Sequence, residues 1–161
     1  MKATRILIAF ALVTAMQISL VGMSEAHAKA KEGRTLTGSW TVDATPAPET
    51  GMPHSLSLAT ATRDGGIVNS NSPGEHTTSS GHGRWIRTRS REFAITFIHM
   101  HYDATGQFAG TLRVRASVAL DGDGNGFSGP FKTDIFDAGG NLLLSFGGTV
   151  SATRISVVPL D

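Results

Sequence analysis

Along "FAGTLRVRASVAL" (108–120) apolar residues recur at every second position, with Phe108, Leu112, Val114, Ala116, Val118 and Leu120 set against Thr111, Arg113, Arg115 and Ser117. Period two is the signature of a strand with one buried face, because successive side chains leave opposite sides of the backbone. The even positions of this segment are therefore predicted to face inward. In 126–137 the apolar set is odd, with Phe127, Phe131 and Ile135 joined by Thr133 and opposed by Lys132 and Asp134. In 142–157 it is even again, Leu142, Leu144, Phe146, Val150 and Ala152 opposing Ser145, Thr149, Ser151 and Thr153. Even meeting odd across each connection requires an even-length loop and sets outward Arg113 about opposite Asp134. Pro130 falls on the outer face and has no N–H for a ladder, which predicts a bulge or a frayed edge there.

Three segments share one turn chemistry: "DATGQF" (103–108), "DGDGNGF" (121–127) and "DAGGNL" (137–142). Aspartate bonds its own turn through its side chain and glycine accepts positive φ, so each reads as a hairpin connection. From Lys29 onward no stretch holds apolar residues at helical spacing over a helix-length window. The segments that remain are eight predicted strands, 35–43, 54–62, 66–70, 83–89, 92–102, 107–121, 126–137 and 142–157. Short turns join them, except at "ATPAPETGMP" (44–53) and "NSPGEHTTSSG" (71–81). The expected fold is all-β, an eight-stranded antiparallel up-and-down β-barrel, since closure removes the exposed edges of such a sheet.

Residues 1–28 stand apart. Lys2 and Arg5 precede an apolar run from Ile6 to about Val21, followed by Ala26-His27-Ala28. This is the pattern of a secretory signal peptide, with cleavage near Ala28. The run is shorter than the ~20 residues of a spanning helix. The expectations are a secreted or periplasmic protein, no stable membrane insertion after cleavage, and one barrel domain over 29–161. Setting aside Lys2, Arg5 and Glu25 leaves that domain with 12 basic and 12 acidic residues from the 14 and 13 of the whole chain. A balanced domain lacks the basic face that nucleic acid requires. The chain holds no cysteine, so disulfides and thiolate metal sites are excluded.

The first strand contains Gly38-Ser39-Trp40, and the last ends at Arg154, which falls on its inward side. This pair resembles the barrel-closing signature of the lipocalins, in which a Gly-x-Trp lays the indole across the barrel floor and an arginine from the last strand packs over it. The eight strands and the long first loop also resemble the family plan. There is no helix after the barrel and no other lipocalin motif, so the likeness extends equally to looser calycin-like or allene-oxide-cyclase-like barrels. The resemblance implies an interior that holds a small apolar molecule, with Trp40 and Arg154 closing the floor.

In "FAITFIHMHYD" (93–103) the odd residues Phe93, Ile95, Phe97, His99 and His101 are predicted to face inward, with His99 near Gly110, whose missing side chain leaves space. Strand direction places His54, His76, His82, His99 and His101 at or beside one rim, the mouth. Phe93, Ile95, Phe97, Leu112, Val114, Phe131, Leu144 and Phe146 would form a ligand-binding wall, with His99 and His101 as its polar contacts. Three roles stay open for these two histidines. They can be half-wet residues at a strand end, acid–base or hydrogen-bonding groups for a ligand, or part of a metal site with His54 and His82. "DGDGNG" (121–126) copies the first half of an EF-hand loop but has Lys132 where the bidentate glutamate belongs, so it reads as a hairpin. No nucleotide fingerprint, phosphate loop or Ser-His-Asp order is present, and no cofactor is expected. The function read from sequence is small-molecule binding inside an exported barrel. A cyclase- or isomerase-type enzyme with a histidine proton donor and an interaction module with a filled core are the alternatives. The oligomeric state is not legible.

Overall fold

A computed structural model describes residues 35–71 and 77–160 of the chain. The signal-peptide reading of residues 1–28 and the placement of His76 fall outside these residues. The strands are β1 (Gly38–Pro46), β2 (Ser55–Ala61), β3 (Gly66–Asn71), β4 (Thr77–Thr78), β5 (Gly81–Arg87), β6 (Glu92–Tyr102), β7 (Phe108–Leu120), β8 (Gly126–Asp137) and β9 (Leu142–Arg154). All pairings are antiparallel and join strands in sequence order, except that β3 pairs with β5 and the short β4 pairs with β6. A β1–β9 ladder and a β6–β7 ladder close the sheet into an eight-stranded up-and-down barrel.

The two-residue β4 was not anticipated. It lies along the same side of β6 as β5, with Thr78 opposite His101 and His82 opposite Ile98. Residues 78–82, five in number, thus face the four residues 98–101 of β6, a β-bulge centred on Ser79 and Ser80. Between β1 and β2 a short 3-10 turn, Pro48–Thr50, occupies the long first loop, and β1 runs three residues further than expected. The last strand stops at Arg154, short of the predicted residue 157.

The predicted turns form as the residues require. Asp103 Oδ1 accepts from the N–H groups of Thr105 and Gln107, and Asp137 accepts from the backbone and side chain of Asn141, with Gly106 and Gly140 at positive φ. In the "DGDGNG" hairpin the bonding aspartate is Asp123, which accepts from Asn125. Arg113 pairs with Asp134 in register and by a 3.1 Å contact, and Arg115 reaches the same carboxylate at 2.7 Å. The β7–β8 ladder is interrupted between the Ala116–Phe131 and Ala119–Ser128 pairs, where Pro130 has no N–H to offer.

One register differs from expectation. The β6–β7 turn spans Asp103–Gln107, and a bulge at His101/Tyr102 adds a further shift, so Gly110 lies opposite His101 while His99 lies opposite Leu112. Nor does Gly110 open a pocket. A Cβ there would overlap the Phe136 carbonyl oxygen, and one on Gly129 or Gly148 would meet Ser117 or Thr45 backbone in the same way. These glycines permit close backbone approach at bends of the barrel.

The core is concentrated at one end, the floor. Leu36, Trp40, Phe93, Val118 and Leu120 are all at most 3% exposed there, with Trp85, Phe127 and Ala61 packed among them. Trp40 and Phe127 meet edge to face at 4.9 Å, as do Trp85 and Phe93 at 5.6 Å. Trp85 is buried and donates its indole N–H to the Thr62 carbonyl. Arg154 lies over the Trp40 ring at 4.1 Å and donates to the carbonyls of Thr35, Thr37 and Gly124, while the Trp40 indole donates to the Leu36 carbonyl. A guanidinium on an aromatic face with its donors satisfied by carbonyls seals this end.

Candidate functional site

Above the floor the barrel is hollow. A cavity of about 230 Å³ occupies the half that opens toward the β1–β2 loop, where Met52 and Pro53 line its mouth. Its walls are chiefly apolar: Val42, Ala44, Ala59, Ile67, Ile95, Phe97, Leu112, Val114, Phe131, Phe146 and Val150. Polar groups enter through Ser55, Ser57, Asn69, His99 and Thr133, and among the described residues no charged one lines the cavity.

The hollow arises from residue size. Trp40 and Phe127 span the floor, whereas the residues higher on β1 and β2, Ala44, Ser55, Ser57 and Ala59, are small. Strand β2 inverts the usual reading of alternation: its small residues line the interior, while Leu56 and Leu58 stand outside, 51% and 55% exposed. Ala59 is the register partner of Trp40 and Ser57 that of Val42, so β2 gives room to the indole and then to the cavity.

His99 is the central polar group of this site. It is 1% exposed and lies on the inward face of β6. The bulge at Ser79 turns the Ser79 carbonyl inward, 2.8 Å from His99 Nδ1, and is itself held by bonds from Ser79 N–H to the Met100 carbonyl and from Met100 N–H to the Ser79 hydroxyl. A carbonyl only accepts, so Nδ1 carries the proton and Nε2 of the neutral ring presents a lone pair. Gly81 makes room for the ring, since a Cβ there would come within 2.7 Å of Nε2. Phe97 meets the imidazole edge to face at 5.3 Å. Among the described residues Nε2 has no hydrogen-bond partner. Burial pushes the imidazole below the ordinary histidine range. The Ser79 bond offsets part of that, and His82 adds slightly to it.

Asn69 is the second buried polar residue of the wall, 3% exposed, and its amide donates to the Ser57 hydroxyl at 3.0 Å. Neither Asn69 nor the β1–β3 wall was singled out from sequence, because the alternation of "SLSLATA" is inverted, with its leucines outside, and "GIVNSN" is too short and polar to show one.

The wall residues read from sequence separate into two groups. Ile95, Phe97, His99, Leu112, Val114, Phe131 and Phe146 line the cavity together. Phe93 is fully buried below it in the floor, and Leu144 is 45% exposed toward the tip of the β8–β9 hairpin, so neither lines it. His101 is half-buried at the rim outside the lining. His54 and His82 are exposed, His54 being bound to Asp43 on the outer surface at 2.7 Å. The four histidines weighed as metal ligands are thus not brought together, and no group of three or more His, Asp or Glu among the described residues is placed to hold an ion.

No family model, no curated protein and no solved structure matches this chain. Its function has to be read from the cavity itself.

Proposed function

We propose that the protein is an exported carrier-type barrel that binds a small hydrophobic or amphipathic molecule in its interior. The observation that carries this reading is the roughly 230 Å³ cavity, apolar in its walls and with a buried histidine among its few polar groups. Apolar walls with a small number of placed polar groups are the general build of a ligand site. An apolar cavity of about 150 Å³ takes up benzene, so this one suits a molecule somewhat larger, of about ten heavy atoms. Export rests on the character of residues 1–28. The likeness to lipocalins and other calycin-like barrels rests on the Trp40–Arg154 floor and the strand order. A module with a completely filled core does not fit a barrel that is packed only at one end.

Titration of the purified protein with a panel of lipophilic probes, followed by tryptophan fluorescence, is expected to show saturable binding. Val114→Phe fills the cavity and is expected to weaken that binding more than tenfold, at a cost in stability below ~1.5 kcal/mol because the ring enters empty space. Absence of saturable binding by every probe would overturn the proposal.

A second reading is a barrel enzyme of isomerase or cyclase type, in which the neutral imidazole of His99, a residue of the cavity lining, turns toward a bound substrate and removes a proton from it. In the neutral ring His99 then acts as base, not as the proton donor first considered. Turnover in a substrate screen that disappears in His99→Ala would separate enzyme from carrier.

A further inference from the structure

A polar pair on the β2–β3 wall narrows the chemical class of the ligand, an inference that rests on the binding reading above. Ser57 and Asn69 line the cavity from neighbouring strands, at diagonal positions of one ladder, since Asn69 lies opposite Ala59. The Asn69 amide nitrogen donates to the Ser57 hydroxyl at 3.0 Å and to the Leu58 carbonyl at 3.4 Å. A carbonyl only accepts, so the amide has one possible orientation, with its NH2 toward β2 and Oδ1 turned away from it. Asn69 is 3% exposed, and among the described residues no donor reaches Oδ1. This oxygen is not shut off from every surface in the way that His99 Nε2 is, behind Gly81. The little surface that Asn69 keeps lies on the cavity it lines. A buried acceptor without a donor is costly, and a donor on the occupant of the cavity relieves that cost. Beside it, the Ser57 hydroxyl accepts the amide hydrogen and still has its own proton to give. An acceptor and a donor thus lie side by side in a chiefly apolar cavity. We infer that the ligand is a small, largely apolar alcohol, whose hydroxyl donates to Asn69 Oδ1 and accepts from Ser57. A ketone of the same shape can accept from Ser57 but sets its own oxygen against Asn69 Oδ1, and a hydrocarbon leaves both groups unmet.

Three probes of one ring system test this: 1-indanol, 1-indanone and indane, measured by calorimetric titration of the purified protein. The alcohol and the ketone carry one oxygen at the same carbon and differ in the O–H, so their ratio reads the donor to Asn69. In the wild type 1-indanol is expected to bind about tenfold more tightly than 1-indanone, the worth of one hydrogen bond to a buried acceptor. In Asn69→Leu, which has a similar size and no acceptor, that ratio is expected to fall to about one while indane binding persists. Ser57→Ala removes only the donor and is expected to weaken both oxygenated probes without affecting indane. Nitrogen-15 NMR gives a readout on the unaltered protein, in which the side-chain NH2 resonances of Asn69 shift much further on adding 1-indanol than on adding indane. Equal binding of the alcohol and the ketone, with Asn69 resonances that respond alike to all three probes, would overturn the hydroxyl assignment and leave the carrier reading standing. Failure of all three to bind would overturn both. A preference for 1-indanol that survives in Asn69→Leu would also overturn the assignment, by placing the acceptor elsewhere.

Discussion

The two ends of this barrel are built from the same strands and differ in what their inward side chains do. At the floor, Trp40, Phe93, Phe127 and Trp85 interlock edge to face and every ring nitrogen is bonded, to Leu36 and Thr62 carbonyls respectively. Toward the mouth small residues, Ala, Ser, Val and Thr, share the inward positions with Phe, and among the described residues the buried imidazole of His99 has no hydrogen-bond partner at Nε2. An eight-stranded barrel is just wide enough for its interior to be filled by side chains or to hold one small ligand. Here both solutions occur in one molecule, stacked along the barrel axis. The floor supplies the stability, and the mouth end is free to specialise in binding.

A matched pair of substitutions on one face of β7 can break this comparison. Val118 is 1% exposed where the floor meets the cavity, and Val114, four residues earlier on the same side, is half-buried in the cavity wall. Val118→Ala is expected to cost about 2–3 kcal/mol, the transfer free energy of the lost methyls together with a new void. Val114→Ala only enlarges a space already present and is expected to cost about 1 kcal/mol by the same transfer arithmetic without the void. Urea unfolding midpoints at pH 8 measure both. Equal costs would mean that the upper half is packed as tightly as the floor, contrary to the cavity.

How much of this division could be read from sequence depends on the strand. From β6 to β9 the alternation is strong and the Asp-Gly turns are unambiguous, so inward faces, strand order and the Arg113–Asp134 pairing follow from the residues alone. The floor was legible through Trp40 and Arg154. The β1–β3 wall was not, because a hollow interior is lined by small and polar residues and the larger leucines of β2 are pushed outside, which cancels the usual signal. The partner of His99 was equally hidden. A bulge at Ser79 that turns one carbonyl inward leaves no mark in "TTSSG", and the bulge beside Tyr102 moved Gly110 away from His99 by altering a register that the turn residues alone do not fix.

Acid sharpens the comparison by acting on the mouth end selectively. His99 is held neutral in the folded protein by burial, whereas in the unfolded chain it titrates near the usual 6.5. Below that pH the unfolded state takes up a proton that the folded state refuses, so stability declines as pH falls through 6.5 and levels off once the folded ring also protonates. The contribution is absent above that range. Asp134, held low first by the Ser145 hydroxyl and then by Arg113, Arg115 and Lys132, acts in the opposite sense of charge and only below about 3.8, so the two windows do not overlap. Urea unfolding from pH 8 to pH 5 is expected to show a decline in the wild type that is reduced in His99→Leu, the difference between the two curves isolating this ring from the other histidines. Identical pH dependence in both would show that His99 protonates as readily inside the barrel as outside it.

The smallest expected effect is at the rim. His54 resembles His99 in sequence terms, a histidine near the mouth, yet it sits outside the barrel with its side chain 51% exposed and its partner Asp43 45% exposed. A contact so open to solvent contributes ~0.5 kcal/mol or less. His54→Gln is therefore expected to leave the urea midpoint nearly unchanged and to leave probe affinity unchanged within twofold, and raising the salt concentration should remove what little difference remains. The contrast with His99 then isolates burial as the property that matters, since the two residues share side-chain chemistry and an end of the barrel. If His54→Gln lowered the urea midpoint as much as His99→Leu, burial would not be the property that separates the two histidines.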